Sequence, residues 1–206
     1  MKTIIRNTAS SILLVTLVII VIAANSTYTI HTMDELALLE RRLFTTNQVI
    51  NSINTLHLAV LRTESGQRGY LLADREAYLD DYEKTLNKVN TIIEQVEANA
   101  IRSDFAEQEE RLQQLINLSK AKLSELIETV ELARQGRKDK AIAIFESDLG
   151  LELYNEFETV FEQIAAQEHK LQKHHIDSLL KLRSDSVTNL IISSLTTGLL
   201  VISIFM

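Results

Sequence analysis

The chain of 206 residues contains no proline and only five glycines. These two residues most often end helices and form tight turns. A chain that nearly lacks both has few places to turn, which disfavours sandwiches, barrels and alternating strand–helix folds. We therefore expect a few long helices. The chain also has no cysteine, which excludes disulfides and cysteine-bound zinc.

Both ends of the chain are free of charge over long stretches. No charged residue lies between Arg6 and Asp34, and none follows Asp185. The first gap contains the apolar run 12–24, and the second ends in the stretch 187–206. Each stretch approaches the ~20 residues that a helix needs to cross a bilayer. The sequence therefore predicts one transmembrane helix within 1–25 and a second over 187–206, so that the lipid bilayer is a partner.

Basic residues indicate which side of the membrane each end faces. Lys2 and Arg6 precede the first predicted span, and basic residues favour the cytoplasmic side. We expect both spans in the inner (cytoplasmic) membrane and the middle region, 26–186, in the periplasm or outside the cell. Lys181 and Arg183 weaken this orientation slightly. A cleaved signal peptide is the alternative for the first segment, and it leaves the middle region on the same side.

The middle region is acidic and lacks the motifs of catalysis. It carries all 28 acidic residues but only 19 of the 21 basic ones, so we expect no nucleic-acid partner. It has no glycine-rich phosphate loop, nucleophile elbow or metal-binding helix motif. His169, His174 and His175 lack the i,i+4 spacing that suits a metal. We expect no catalytic residue, cofactor or metal, and place any kinase or cyclase activity in a cytoplasmic part beyond this chain.

Four stretches of the middle region place apolar residues at alternating steps of three and four, which is typical of helices with one buried face. The first ends near residue 73, and the others cover about 75–99, about 105–135, and about 151 onward into the second span. These stretches predict an all-α fold, an up-down-up-down four-helix bundle whose long first and last helices continue into the two transmembrane helices. A few polar residues fall on the stripes, including Thr46, His57 and Glu168. We interpret His57 as a satisfied core histidine.

The breaks between the stretches contain helix-end signals. Asp74 is expected to cap the second helix, and Ser103 or Asp104 the third. Gly136 is typical of a glycine that ends a helix, and a short extra helix is expected over 140–147.

Near its end, the stripe of the first helix becomes polar, around Glu64, Gln67 and Arg68. Gly66 and Gly69 each destabilise a helix by roughly 1 kcal/mol, but they allow another chain segment to approach closely. Glu64 and Arg68 are spaced for an i,i+4 ion pair. The stretch is either a rigid polar clasp that fixes the helix register or a ligand-sensing layer, and the residues alone favour the clasp.

The run from Glu64 to Leu72, followed by Tyr78, Leu79 and Tyr82, resembles the signature of the third class of CHASE domains. These are extracellular sensor domains of bacterial histidine kinases, cyclases and chemoreceptors. The resemblance implies signal input, a homodimer, and no assigned ligand residue. Family members usually have a glycine near the start of the second helix, where this chain has Ala73-Asp74-Arg75. The signature positions carried over are Glu64, Gly66, Gln67, Arg68, Gly69 and Tyr70.

We interpret the chain as the extracytoplasmic sensor region of a transmembrane receptor, in the first place a histidine kinase. It would pass a helix displacement through two spans when an unidentified small-molecule or protein ligand binds near 64–70 and the connector 136–150. A chemoreceptor-type ligand-binding domain is one alternative. A membrane-tethered structural or interaction protein with no output domain is another. The coding sequence beyond Met206 would decide between them.

Overall fold

The chain is all-α, as predicted. The computed structural model describes residues 2–100 and 106–205, and the side chains of 12–99 and 108–203. Within these ranges there is no strand, and a 3₁₀ turn, Glu76–Tyr78, precedes the second helix. The five helices are α1 (Lys2–Ala73), α2 (Leu79–Ala100), α3 (Ala106–Arg134), α4 (Lys138–Phe145) and α5 (Leu149–Phe205).

The chain divides into two compact units. Phe44–Gln172 forms the first, which we call the head, and Met1–Leu43 with Lys173–Met206 forms the second, which we call the helix pair. Both α1 and α5 contribute to both units.

The head is a four-helix bundle around one apolar core. Each of α1, α2, α3 and α5 contributes several buried aliphatic or aromatic side chains from the stripe predicted by the 3–4 spacing. The pattern arises because residues three and four apart share one helix face, which becomes buried when four such faces meet. Central members of the core are Ile53, Val60, Val89, Ile93, Leu112, Ile116, Leu126, Phe157 and Ile164.

The helix pair contains the two uncharged ends of the sequence. Among the described residues, α1 and α5 each contain an apolar window long enough to cross a membrane, and none of either window is buried within the protein. Large apolar side chains such as Ile19 and Leu195 are therefore exposed. The amide of Asn189 donates a hydrogen bond to the Tyr28 hydroxyl at 2.7 Å, which joins the two helices.

The predicted cap of α2 is wrong. Asp74 has a φ of 55° and its N–H donates to the Tyr70 carbonyl at 2.8 Å, so it closes the C-terminal end of α1 instead. A left-handed residue commonly ends a helix in this way. Asp is one of the few non-glycine residues that tolerates this backbone region. Ser103 and Asp104 lie outside the described residues.

The glycine stop after α3 is confirmed. Gly136 has a φ of 76°, and the Arg137 N–H donates to the Leu132 carbonyl at 2.9 Å, the long hydrogen bond of a Schellman motif. The short helix α4 also exists, two residues earlier than expected at each end. The long helix α5 begins at Leu149, directly after Asp148, whose φ is 62°.

His57 lies at the edge of the head core. Its Nε2 atom is 2.9 Å from Glu158 Oε2, and its ring centroid is 4.2 Å from that of Phe161. The two atoms lie at ion-pair distance but form no hydrogen bond, and the histidine is only half-buried, so the structure does not confirm the predicted satisfied core histidine.

Glu168 is the anomaly of the head core. It lies on the buried stripe of α5, four residues after Ile164, and is only 2% exposed. Within the described residues, no hydrogen bond or ion pair involves its carboxyl group. Burial disfavours the charged form of a carboxyl group and raises the pKa of Glu168 to about 7.

The raised pKa predicts a pH-dependent stability. The folded head binds the Glu168 proton more tightly than the unfolded chain, whose glutamate pKa is near 4.5. The resulting stability is complete below pH 4.5 and is lost as the pH rises to about 7. Near pH 4.5, Glu168→Gln should have the same free energy of unfolding as the wild type. At pH 8 its free energy of unfolding should be up to about 3 kcal/mol larger, so the variant is the more stable protein.

Thermal unfolding of the detergent-solubilised chain at several pH values tests this expectation. Glu156→Gln, an exposed position on the same helix, is the matched control. Equal pH dependence in Glu168→Gln and Glu156→Gln would contradict the role given to burial.

Candidate functional site

The six signature residues occupy the last turns of α1 in the head. Gly66, Gln67 and Tyr70 are buried, Glu64 and Gly69 are half-buried, and Arg68 is exposed. The stretch therefore presents one face to the bundle interior and one to the outside.

Gln67 makes the deepest polar contacts of the signature. Its side chain is 1% exposed, and its amide group donates to Glu125 Oε1 at 3.2 Å and to the Thr129 hydroxyl at 2.5 Å. The Thr129 hydroxyl in turn donates to the Glu125 carbonyl at 3.1 Å. Buried polar groups need such partners, because each unpaired group costs about 1–3 kcal/mol. Gln67 thereby joins α1 to α3.

Lys122 is the centre of the buried polar network. Its Nζ donates to Glu125 Oε2 at 3.1 Å and to the Gly150 carbonyl at 2.9 Å, and it lies 3.6 Å from Glu64 Oε1. The side chains of Lys122 and Glu125 are only 3% and 5% exposed. The ammonium group therefore makes two hydrogen bonds and has a second carboxylate, Glu64, at ion-pair distance.

These contacts define a single cluster that joins three helices. We call it the polar core cluster: Glu64, Gln67, Lys122, Glu125, Thr129 and the Gly150 carbonyl. Gly150 is positioned tightly, since a Cβ atom there would lie 2.9 Å from Lys122 Nζ and 3.0 Å from Glu125 Oε2. The cluster ties the end of α1 and the first turn of α5 to the middle of α3.

The two signature glycines bring α1 and the start of α2 together. A Cβ atom at Gly66 would lie 2.8 Å from Tyr82 Cβ and 2.9 Å from the Tyr78 carbonyl oxygen. A Cβ atom at Gly69 would overlap the Tyr78 ring. Neither position has space for a side chain, so the glycines pack against the two tyrosines.

Tyr70 belongs to a second, smaller apolar cluster at this end of the head, with Leu79, Tyr82 and Val130. Burial raises the pKa of the Tyr82 hydroxyl to about 12 and also raises the pKa of Tyr70, with a further contribution from the Glu76 carboxylate. Both phenols therefore stay neutral at physiological pH and act as packing groups.

The predicted ion pair between Glu64 and Arg68 is wrong. Glu64 faces Lys122, whereas Arg68 is exposed and, within the described residues, has no ion-pair partner. The Glu64 carboxylate is directed toward Lys122 of α3, and the Arg68 side chain extends into solvent although the two residues are neighbours on the helix.

Sequence reasoning missed Lys122, Glu125 and Thr129. A helix with one buried face is expected to expose its charges, yet Lys122 and Glu125 each precede a buried leucine, Leu123 and Leu126, by one position. The spacing Ser119, Lys122, Leu126, Thr129 also follows steps of three and four, and that was the available signal. In the predicted connector, Gly150 joins the cluster, whereas a Cβ atom at Gly136 would meet nothing within 4 Å.

Fold and motif together define an all-helical sensor domain between two long apolar helices. The model of the CHASE3 domain family matches residues 40–177, and the chain belongs to this family. The head is therefore a sensor domain of a signalling receptor, a kind of domain that is not catalytic.

A solved structure is similar in fold. The chain resembles the crystal structure of the sensor domain of the histidine kinase HK9 from Rhodopseudomonas palustris, with a TM-score of 0.54 and 26% sequence identity. The similarity covers 62% of this chain and 98% of that one. No curated protein sequence matches significantly.

The glycine contact makes a prediction about stability. Gly66→Ala should destabilise the chain by about 1–3 kcal/mol, because the new methyl group forces α1 away from the backbone at Tyr78 and Tyr82. Helix propensity alone predicts the opposite sign, a stabilisation of roughly 1 kcal/mol. Thermal melting measures the difference, and Ser65→Ala, at the exposed neighbouring position, is the control. A Gly66→Ala variant that melts at or above the wild type would exclude the close contact.

Proposed function

We propose that this chain is the extracytoplasmic signal-input region of a transmembrane receptor, most simply a histidine kinase. The observation that supports the proposal best is the placement of both long apolar segments on α1 and α5, which also form the sensor head. On this proposal residues 1–25 hold the cytoplasmic tip and the first span, 26–186 the sensor domain, and 187–206 the second span.

The proposed location is the inner membrane of a bacterium, with the head in the periplasm or outside the cell. The basic residues Lys2 and Arg6 support a cytoplasmic N-terminus. Exposed apolar side chains on both segments support contact with lipid, because a chain in water rarely exposes so much contiguous apolar surface. A homodimer is the proposed assembly, and a small molecule or a protein the proposed signal.

The polar core cluster supports a mechanism. A signal can shift an equilibrium between two helix arrangements only if it binds them with different affinities. The hydrogen bond from Lys122 to the Gly150 carbonyl holds the first turn of α5 against α3, while Glu64 holds α1 to the same ammonium group. Movement of α5 along α3 must therefore break a hydrogen bond of a buried charge. In this mechanism the cluster fixes one of the two arrangements.

Cysteine labelling tests the proposed topology. Because the chain has no cysteine, a maleimide can label only the cysteine that a substitution introduces. We expect a membrane-impermeant maleimide to label Glu156→Cys in intact spheroplasts, and Thr3→Cys only after permeabilisation. Labelling of Thr3→Cys in intact spheroplasts would refute the orientation.

A chimeric receptor tests the proposed mechanism. Residues 1–206 are fused through α5 to the cytoplasmic part of a membrane histidine kinase, and autophosphorylation is measured. Lys122→Met/Glu125→Gln removes both charges together, which preserves folding better than removing one. We expect the ratio of active to inactive receptor to change by roughly tenfold, because a hydrogen bond from a charged group contributes about 1.5 kcal/mol or more.

Arg68→Ala is the control for the chimera, since Arg68 belongs to the signature but is exposed, and within the described residues no ion pair or hydrogen bond joins its side chain to the cluster. If the double variant folds, as circular dichroism shows, and its autophosphorylation equals that of the wild type, the cluster has no part in signalling.

A further inference from the structure

An open groove between α1 and α2 of the head has a volume of about 510 Å³. This volume lies within the ~300–1,000 Å³ typical of small-molecule sites. Part of its lining is apolar and comes from Leu58, Ala59 and Ile92. Leu58 is 51% exposed, so apolar surface remains open for a ligand to cover.

Three of the six other lining residues are basic. Arg62 of α1 and Lys84 and Lys88 of α2 line the groove, against one carboxylate, Asp81. Lys84 Nζ lies 3.7 Å from Asp81 Oδ1, a distance at which an exposed pair contributes little. Arg62 and Lys88 have no ion-pair partner within the described part of the chain. Two cations are thus free to bind an anion.

The basic groove stands out against the charge of the chain. With 28 acidic and 21 basic residues, the chain as a whole repels anions. A local concentration of cations beside a low-dielectric apolar wall focuses the field and creates one place that attracts them. The hydroxyl groups of Thr55 and Thr85 also line the groove. Each hydroxyl group donates its proton to a carbonyl of its own helix, so it can only accept a hydrogen bond from a ligand.

We propose that the groove between α1 and α2 is a binding site for an amphipathic organic anion, a carboxylate with a small apolar body. The carboxylate lies between Arg62 and Lys88, and the apolar body covers Leu58 and Ile92. Arginine suits this role because its planar guanidinium group binds a carboxylate through two parallel hydrogen bonds. The site does not depend on the receptor proposal, since binding is measured without any output.

The glycine contact sets the width of the groove. Arg62 lies one helical turn before Gly66, and Asp81 directly precedes Tyr82, whose Cβ closes against Gly66. The two helices are held together at that contact, and the groove opens next to it. A ligand that fills the groove would therefore change the distance between α1 and α2 next to the contact at Gly66.

Calorimetric titration of the full chain in lipid nanodiscs tests the site with four probes. Hexanoate and benzoate combine a carboxylate with an apolar body, hexanamide lacks the charge, and acetate lacks the body. We expect saturable binding of hexanoate or benzoate, weaker binding as salt is added, and no saturable binding of hexanamide or acetate. Hexanamide binding as tightly as hexanoate, or acetate binding equally well, overturns the proposal. Failure of both amphipathic carboxylates to bind also overturns it.

Three charge-neutralising variants locate the site. Arg62→Gln and Lys88→Gln should each weaken binding roughly tenfold, the loss expected for one charge-assisted contact. Lys140→Gln, an exposed basic position on α4 outside the groove, changes the net charge equally and should leave the affinity within twofold. Equal losses in all three variants would mean that only net charge matters and would refute the assignment. Circular dichroism confirms that each variant is folded.

Discussion

The buried ammonium group of Lys122 is the constraint on which the arrangement of the head depends. A charge in a bundle core is stable only where it is paired and hydrogen-bonded, because removing one partner leaves an uncompensated charge. The two hydrogen-bond acceptors of Lys122 lie on α3 and in the first turn of α5, and the Glu64 carboxylate of α1 lies at ion-pair distance. Apolar stripes can pack in several registers by shifting one turn, but these acceptors meet at one level only. The polar core cluster therefore adds contacts that a shift of one turn between the helices would break.

The signature residues of α1 make contacts of three kinds within one segment. Gln67 pairs with α3, Gly66 and Gly69 admit the tyrosines that begin α2, and Tyr70 fills the small apolar cluster behind them. Asp74 then ends α1 with a φ of 55°, the region where a glycine is unstrained. The departure from the usual family glycine thus falls where the turn needs a left-handed residue, and Asp supplies it.

Spacing in the sequence was enough to predict the core but not the polar contacts. The stripes of α1, α2, α3 and α5 are local patterns, and every helix buries the face that its own spacing defines. Lys122 and Arg68 show the limit of this reasoning, since one charge is buried and the other exposed at positions that look alike. Which of them finds acceptors depends on residues 58 and 28 positions away, at Glu64 and Gly150, and that information is tertiary. Glu168 lay on a predicted stripe, but the spacing could not indicate that burial would raise its pKa.

The groove between α1 and α2 and the polar core cluster both involve α1. The groove lies between α1 and α2, whereas the cluster joins α1 to α3 and α5. A ligand between α1 and α2 would change a contact of α1, while Glu64 links α1 to Lys122 and Lys122 links to the first turn of α5. A ligand influences α5 by this route only if it favours one spacing of α1 and α2 over another. The glycine contact allows such a preference. The two helices stay in contact at Gly66, while the distance between them can change in the adjacent groove. The proposed ligand site and the polar core cluster then need no direct contact, because the last turns of α1 connect them.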